Sequence, residues 1–232
     1  MFKLNLLFED IFSIATVIPS TLFLAFVILI AGILIGGLLA VFRLLKIPLL
    51  EKMILGYISF VRGIPLIIHL YIAYYILPNA FNAIFNEGTE ASGITISPVL
   101  TIIVAFSLYT SAGQSENIRA ALLSVETGQF EAGYSIGLTR LQTLKRVVFP
   151  QALKVAIPAF FNSYLGIIKG MSLGFTIGLV DILAQAKLNS ALNFGYLESY
   201  TAAGLLYWAL CGLLTLLFSS LESKYFKGTA IN

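Results

Sequence analysis

Residues 11–42 contain no charged side chain, and that run constrains the chain more than any other feature. A helix crossing the hydrocarbon core of a bilayer needs about 20 consecutive apolar residues, because every backbone amide there must be satisfied within the helix. Four further stretches qualify: Gly63 to Asn86 with only His69, Ala91 to Ser115 uncharged, Val155 to Val180 interrupted by Lys169 alone, and Ser199 to Leu221 uncharged. The expected fold is therefore an all-α polytopic integral membrane protein, one transmembrane domain over 1–232 with five helices near 18–41, 58–77, 98–118, 157–178 and 200–221. Composition agrees, since 59% of residues are hydrophobic and 11% charged, against about 25% charged in a soluble domain. A net charge of +3 is too mild to suggest nucleic acid. The single cysteine, Cys211, excludes an intramolecular disulfide and sits in an apolar run, where it reads as packing. Glu9 and Asp10 precede the first apolar run, where a cleavable export signal would carry positive charge.

Basic residues set the expected orientation, since Lys and Arg are retained on the cytoplasmic side. Arg43, Lys46, Lys52 and Arg62 follow the first run; Arg119, Arg140, Lys145, Arg146 and Lys154 lie between the third and fourth; Lys224 and Lys227 follow the fifth. The other side holds Lys3 and Lys187, with Glu9, Asp10, Glu87, Glu90, Asp181 and Glu198 on or near it. This places the N-terminus outside and the C-terminus in the cytoplasm, and Lys169 within the bilayer.

The longest polar segment, 126–154, then faces the cytoplasm. Gly128 opens a short helix over Gln129 to Ile136, and Gly137 stands where a helix prefers to end in a left-handed residue. Thr139 with Gln142 forms a capping-box pattern for a second helix, whose Leu141, Leu144 and Val148 recur at helical spacing and which Pro150 is expected to end. Helices this short barely form alone in water, so they must dock. Ala132 and Gly133, beside Glu131, would permit close approach to another protein, with Phe130 and Tyr134 as anchors in a groove. A membrane-surface amphipathic hairpin is the alternative from composition alone.

Glu131-Ala132-Gly133, three residues, Gly137, nine residues, Val147, one residue, Phe149-Pro150 resembles the EAA signature of ABC importer permeases. Gly133 stands for the third signature Ala, Val147 for Ile and Phe149 for Leu. Arg62-Gly63-Ile64-Pro65-Leu66 is similar to the Arg-Gly-Thr-Pro-Leu of the polar amino acid branch of that family. Glu116 to Arg119, Gly128-Gln129, Pro150-Gln151-Ala152 and Pro158 also match. Lys169-Gly170-Met171-Ser172-Leu173 resembles the family's Lys-Asp-Thr-Ser-Leu but departs from it at Gly170 and Met171. The resemblance implies the type I (MetI-like) permease fold in the bacterial cytoplasmic membrane. It further implies a coupling helix that inserts into a cleft of a separate ATPase subunit, carried here by Phe130, Glu131, Ala132, Gly133, Tyr134 and Gly137.

Other polar residues are read against packing. Lys169 lies about 18 Å from the inner edge of its span at 1.5 Å per residue, where embedded charges face a cavity or a partner. Gly166, Gly170, Gly174 and Gly178 recur every fourth residue and suggest one close-packing face, as do Gly32 and Gly36. Glu116 and Arg119 are spaced for a helical ion pair. His69 has no metal or triad partner at sequence spacing, and a packing or hydrogen-bonding role is expected. Tyr109 and Thr110, mid-span, and Met171 and Ser172 are the solute-path candidates. Pro65, after Gly63, marks a helix break whose freed carbonyls are tolerated facing a cavity.

No Gly-x4-Gly-Lys-Ser/Thr run occurs, so ATP is not cradled here in the usual way. No catalytic, metal or cofactor site is expected on the chain, and it is not expected to be an enzyme; ATP and Mg would sit on a partner ATPase. The expectation is the permease subunit of an ATP-driven amino acid importer. Its partners would be a second permease copy, identical or similar, two ATPase subunits and an extracellular solute-binding protein. The departures at Gly170 and Met171 hint at a neutral or sulfur-containing solute such as cystine. A gradient-driven carrier or channel is the alternative, but it predicts more embedded ionisable groups and repeated halves.

Overall fold

In the computed structural model the described residues are 2–85 and 96–225, and among them every regular element is helical. Helix α1 spans Leu4–Ala15, α2 Ile18–Leu44, α3 Pro48–Gly63, α4 Leu66–Phe85, α5 Pro98–Leu123, α6 Gly128–Ser135 and α7 Arg140–Thr143. A π-helical turn, Leu144–Val148, leads into α8, Phe149–Gly170; a 3-10 segment, Met171–Ile177, precedes α9, Ile182–Asn193, and α10, Tyr196–Tyr225. Glu87, Glu90 and Lys227, which enter the charge asymmetry, lie outside the described residues.

Among the described residues, three helices are long and apolar enough to cross a membrane: Ile18–Leu44, with mean hydropathy 2.9, Leu66–Ala83, with 1.2, and Tyr196–Lys224, with 1.8. A fourth crossing exists if Arg140–Ile177 and Ile182–Asn193, bent by 47° from each other, form one broken span. Length and composition thus count three or four spans where the sequence suggests five. Helix α5 has 26 residues, but Gln114, Ser115, Glu116, Asn117 and Arg119 crowd its second half.

Two prolines act differently. Ile64, held extended at φ −115° and ψ 139°, ends α3, because the residue before a proline is driven out of the α region. The stretch 58–77 is accordingly two helices. Pro150, by contrast, does not end a helix; helical backbone continues through it into α8. The π-helical turn just before it carries a Phe149 N–H to Leu144 carbonyl bond. That wider turn accommodates a residue that lacks an N–H and crowds the preceding turn.

The chain divides into two compact units. Among the described residues, one takes in α1, α2 to Ile28, α4, α5 to Phe106, and the chain from Leu165 onward. Its apolar core joins Leu7 and Ile14 of α1, Ile182 and Ala186 of α9, and Ala202 and Ala203 of α10. Three buried acids, Asp10, Asp181 and Glu198, lie beside it. Asp10 accepts from Asn189 Nδ2 at 2.8 Å, from Asn193 Nδ2 at 3.4 Å and from Ser199 Oγ. Asp181 caps α9 through the Ala184 N–H at 2.9 Å and accepts from the Tyr207 hydroxyl at 2.9 Å.

The expected four-residue glycine ridge in this unit does not form. Gly170 ends α8, the 3-10 segment turns faster per residue than an α-helix, and Gly178 is left-handed at φ +91°. Spacing by four therefore stops marking one face. Gly170 lies against Leu66 and Phe106, while Gly174 lies against Ile102 and Leu179.

The second unit holds the rest of α2, α3, the remainder of α5 and the chain to Tyr164. Ile54, Ile58 and Val61 of α3 pack on Ala112 of α5. Gly32 and Gly36 bring α2 onto α5: a Cβ at Gly36 would stand 2.7 Å from the Ser111 carbonyl oxygen and 2.8 Å from the Ser115 nitrogen. This is the close packing read from the sequence. Beyond it Arg43 Nη1 meets Glu116 Oε1 at 2.6 Å, and Arg119 Nη2 meets Glu116 Oε2 at 3.2 Å. The Glu116–Arg119 pair was legible as spacing; its third member, Arg43, was not.

Candidate functional site

The segment between α5 and α8 is a hairpin of two short helices. Helix α6 closes as a Schellman motif: the Leu138 N–H bonds the Gly133 carbonyl and the Gly137 N–H bonds the Tyr134 carbonyl, each at 3.0 Å. Gly137, at φ +80°, takes the left-handed position this closure requires. Helix α7 then begins with a complete capping box. The Gln142 N–H bonds Thr139 Oγ1 at 3.3 Å, and the Thr139 N–H bonds Gln142 Oε1 at 2.8 Å.

Gly133 faces inward. It is buried, and a Cβ there would stand 2.5 Å from both Cγ2 and Oγ1 of Thr143. Close approach at this glycine serves the hairpin itself, where the sequence had suggested approach to another protein. The same contact gives a reason for glycine where the resembling signature has alanine, because Thr143 occupies the space of the methyl group.

The residues turned outward are Glu131, Ala132, Tyr134 and Gly137. Phe130 is half-buried, its ring centroid 6.5 Å from that of Tyr134. Four large apolar side chains are exposed between α5 and α8, namely Tyr134, Ile136 at 76%, Leu141 at 72% and Leu144. Gln151 Nε2 donates to Gln129 Oε1 at 3.3 Å and ties the hairpin to the start of α8.

The solute-path candidates fall in different units. Tyr109 packs against the Ile54, Ile58 and Val61 cluster, and Thr110 carries its methyl group against Gly32. Both keep part of their surface exposed. Met171 is fully buried, whereas Ser172 is partly exposed and donates to the Lys169 carbonyl at 2.8 Å. Lys169 is exposed in the last turn of α8, and its ammonium makes no hydrogen bond or ion pair among the described residues. His69 Nδ1 lies 3.3 Å from the Pro65 carbonyl oxygen, the hydrogen-bonding role expected of it. Sequence reading missed Tyr57, whose hydroxyl donates to the Leu108 carbonyl at 2.7 Å and lies 2.8 Å from Ser111 Oγ. A tyrosine in an apolar stretch gives no sign of a partner some fifty positions away. No cluster of His, Cys, Asp or Glu suited to a metal occurs among the described residues.

Residues 32–227 match the family described as "Binding-protein-dependent transport system inner membrane component". The chain belongs to that family. This permease is similar to the probable amino-acid permease protein YxeN of Bacillus subtilis (strain 168), with 38% identity over 208 residues covering 90% of this chain and 87% of that protein. It is also similar to the L-cystine transport system permease protein TcyB of the same organism, with 37% identity covering 83% of this chain and 78% of TcyB. Among solved structures it resembles an amino acid ABC transporter crystallised with histidines, at TM-score 0.77 and 26% identity, over 91% of this chain and 93% of that one. The inward-facing MetNI methionine ABC transporter shares the fold at TM-score 0.69 and 21% identity, over 90% of this chain and 94% of that one. The protein is thus an ABC importer permease subunit in a membrane. The family is one of transport subunits rather than enzymes.

Proposed function

We propose that this permease imports an amino acid, driven by ATP hydrolysis on a separate subunit that grips the α6–α7 hairpin. The observation that carries the reading is the hairpin's construction. A Schellman closure, a capping box and a glycine–threonine contact fix its backbone, while Tyr134, Ile136 and Leu141 project without a core to enter. A rigid backbone displaying unburied apolar side chains is what a mechanical coupling element requires. Phe130, Glu131, Ala132, Tyr134 and Gly137 form the gripped surface, and Gly133 sets its shape. The amino acid assignment is supported by the relatives named above.

In this reading two permease copies, identical or similar, pair with two ATPase subunits that hold ATP and Mg, and an extracellular binding protein delivers the solute. The chain crosses the membrane five times, with α5 as the crossing that length and composition do not count, N-terminus outside and C-terminus in the cytoplasm. Tyr109 and Thr110 in one unit, and Met171 and Ser172 in the other, are the solute-side candidates, of which Met171 is buried. Lys169 is an embedded cation that contacts solute or a neighbouring helix. The solute is neutral or sulfur-containing, cystine being the leading candidate. The permease then biases a two-state equilibrium by contacts at distant sites, with no covalent step on this chain.

Ala132→Trp tests the reading on an exposed position that leaves the hairpin's own contacts intact. Expected are normal permease levels, loss of ATPase subunit on co-purification and loss of labelled cystine accumulation. Full ATPase retention with normal uptake would refute it.

A further inference from the structure

Helix α1 has no part in the reading above, yet its surface is divided into three faces. At 100° per residue, Leu7, Asp10 and Ile14 share one face, which is buried on α9 and α10. Leu4, Phe8 and Phe12, at four-residue spacing, form a second face and are 61%, 57% and 74% exposed. Asn5, Glu9 and Thr16 make the third, polar and exposed. A helix buried on one side would ordinarily show water a polar remainder. Here half of that remainder is aromatic and aliphatic.

Two further observations say what covers the apolar ridge. Only Thr16 and Val17 separate α1 from α2, the most apolar of the membrane-crossing helices, so the C-terminal end of α1 meets the edge of the bilayer. The start of α2 also carries exposed Phe23 and Phe26, so an apolar exposed surface continues from one helix to the next. Asp10, with its three donors on α9 and α10, and the Lys3 N–H on Glu198 Oε1 at 2.8 Å, fix the rotation of α1 and hence the direction of the ridge.

We propose that α1 is an interfacial helix, lying at the boundary of lipid headgroups and acyl chains with Leu4, Phe8 and Phe12 in lipid and Asn5, Glu9 and Thr16 in water. Helices with this segregation bind the interface through buried apolar area. The proposal rests on the membrane location of the chain and not on its solute or its ATPase.

The test uses the full transporter in proteoliposomes of phosphatidylethanolamine and phosphatidylglycerol doped with brominated phosphatidylcholine. Trp208, the sole tryptophan, is replaced by Phe, and single tryptophans are placed by Phe12→Trp and Glu9→Trp, with Leu4→Trp as a second reporter on the ridge. Ridge tryptophans are expected to lose most of their emission to brominated lipid and little to aqueous iodide, and Glu9→Trp the reverse. Ridge tryptophans quenched by iodide alone would overturn the proposal. So would ridge tryptophans shielded from iodide only after the transporter's binding protein is added, since the ridge would then be a protein docking face. Quenching of all three positions by brominated lipid would also overturn it, by placing α1 within the hydrocarbon.

Discussion

The α6–α7 hairpin and the α1–α9–α10 cluster both contain helices too short to stand alone in water, and they solve that problem in opposite ways. The cluster buries Ile14 and Ile182 completely and encloses three carboxylates, each satisfied by neutral donors. The hairpin buries only Gly133 and Thr143 between its two helices and leaves its large apolar residues outside. The first region closes a core of its own, although Leu4, Phe8 and Phe12 stay exposed on another face of α1. The second has its backbone fixed locally and its apolar surface uncovered, which is the condition of one half of an interface.

Substitutions should therefore report differently in the two regions. The largest effect is expected from Asp10→Ala, which leaves the buried Ser199 hydroxyl and the half-buried Asn189 and Asn193 amides without their acceptor. A loss of about 3 kcal/mol is expected, since each unmade buried bond to a charged group is costly, visible as a lower melting temperature of the isolated permease in detergent. An unchanged melting temperature would erase the contrast between the regions. Gly133→Ala comes next, at about 1–2 kcal/mol of overpacking. Thr143 is a side chain that can move partway, so the cost should be local, with faster amide exchange across 128–143 and an unchanged global melting temperature. Adding Thr143→Ala should restore protection, and its failure to do so would deny that this contact shapes the hairpin. Thr139→Ala should cost least, about 1 kcal/mol for a lost N-cap, read as faster exchange at Gln142 alone. If either hairpin substitution melted the whole permease, the hairpin would be part of the core.

What the sequence made legible follows the range of each interaction. Gly137, the Thr139–Gln142 box and the break at Pro65 are signals within a few residues, and each takes the backbone form its chemistry dictates. Gly32 and Gly36 could be assigned to packing because small residues at that spacing permit close helix approach, though not to α5 in particular. Contacts between distant positions were out of reach. Asp10 lies 179 residues from Asn189, and Arg43 lies 73 from Glu116, and a charged residue beside an apolar run gives no indication of its partner. Pro150 and the glycines from Gly166 to Gly178 misled for a shared reason. Both arguments assumed a uniform α-helix, whereas a π-helical turn precedes the proline and a 3-10 segment runs between Gly170 and Gly178.

Amide exchange on the permease alone and then with its ATPase subunits bound tests the central claim most directly. The account predicts that added protection concentrates over Gly128–Leu144, strongest from Phe130 to Gly137, while α1 and α9 exchange as before. Protection that spared the hairpin, or that arose equally in the α1–α9–α10 cluster, would contradict it.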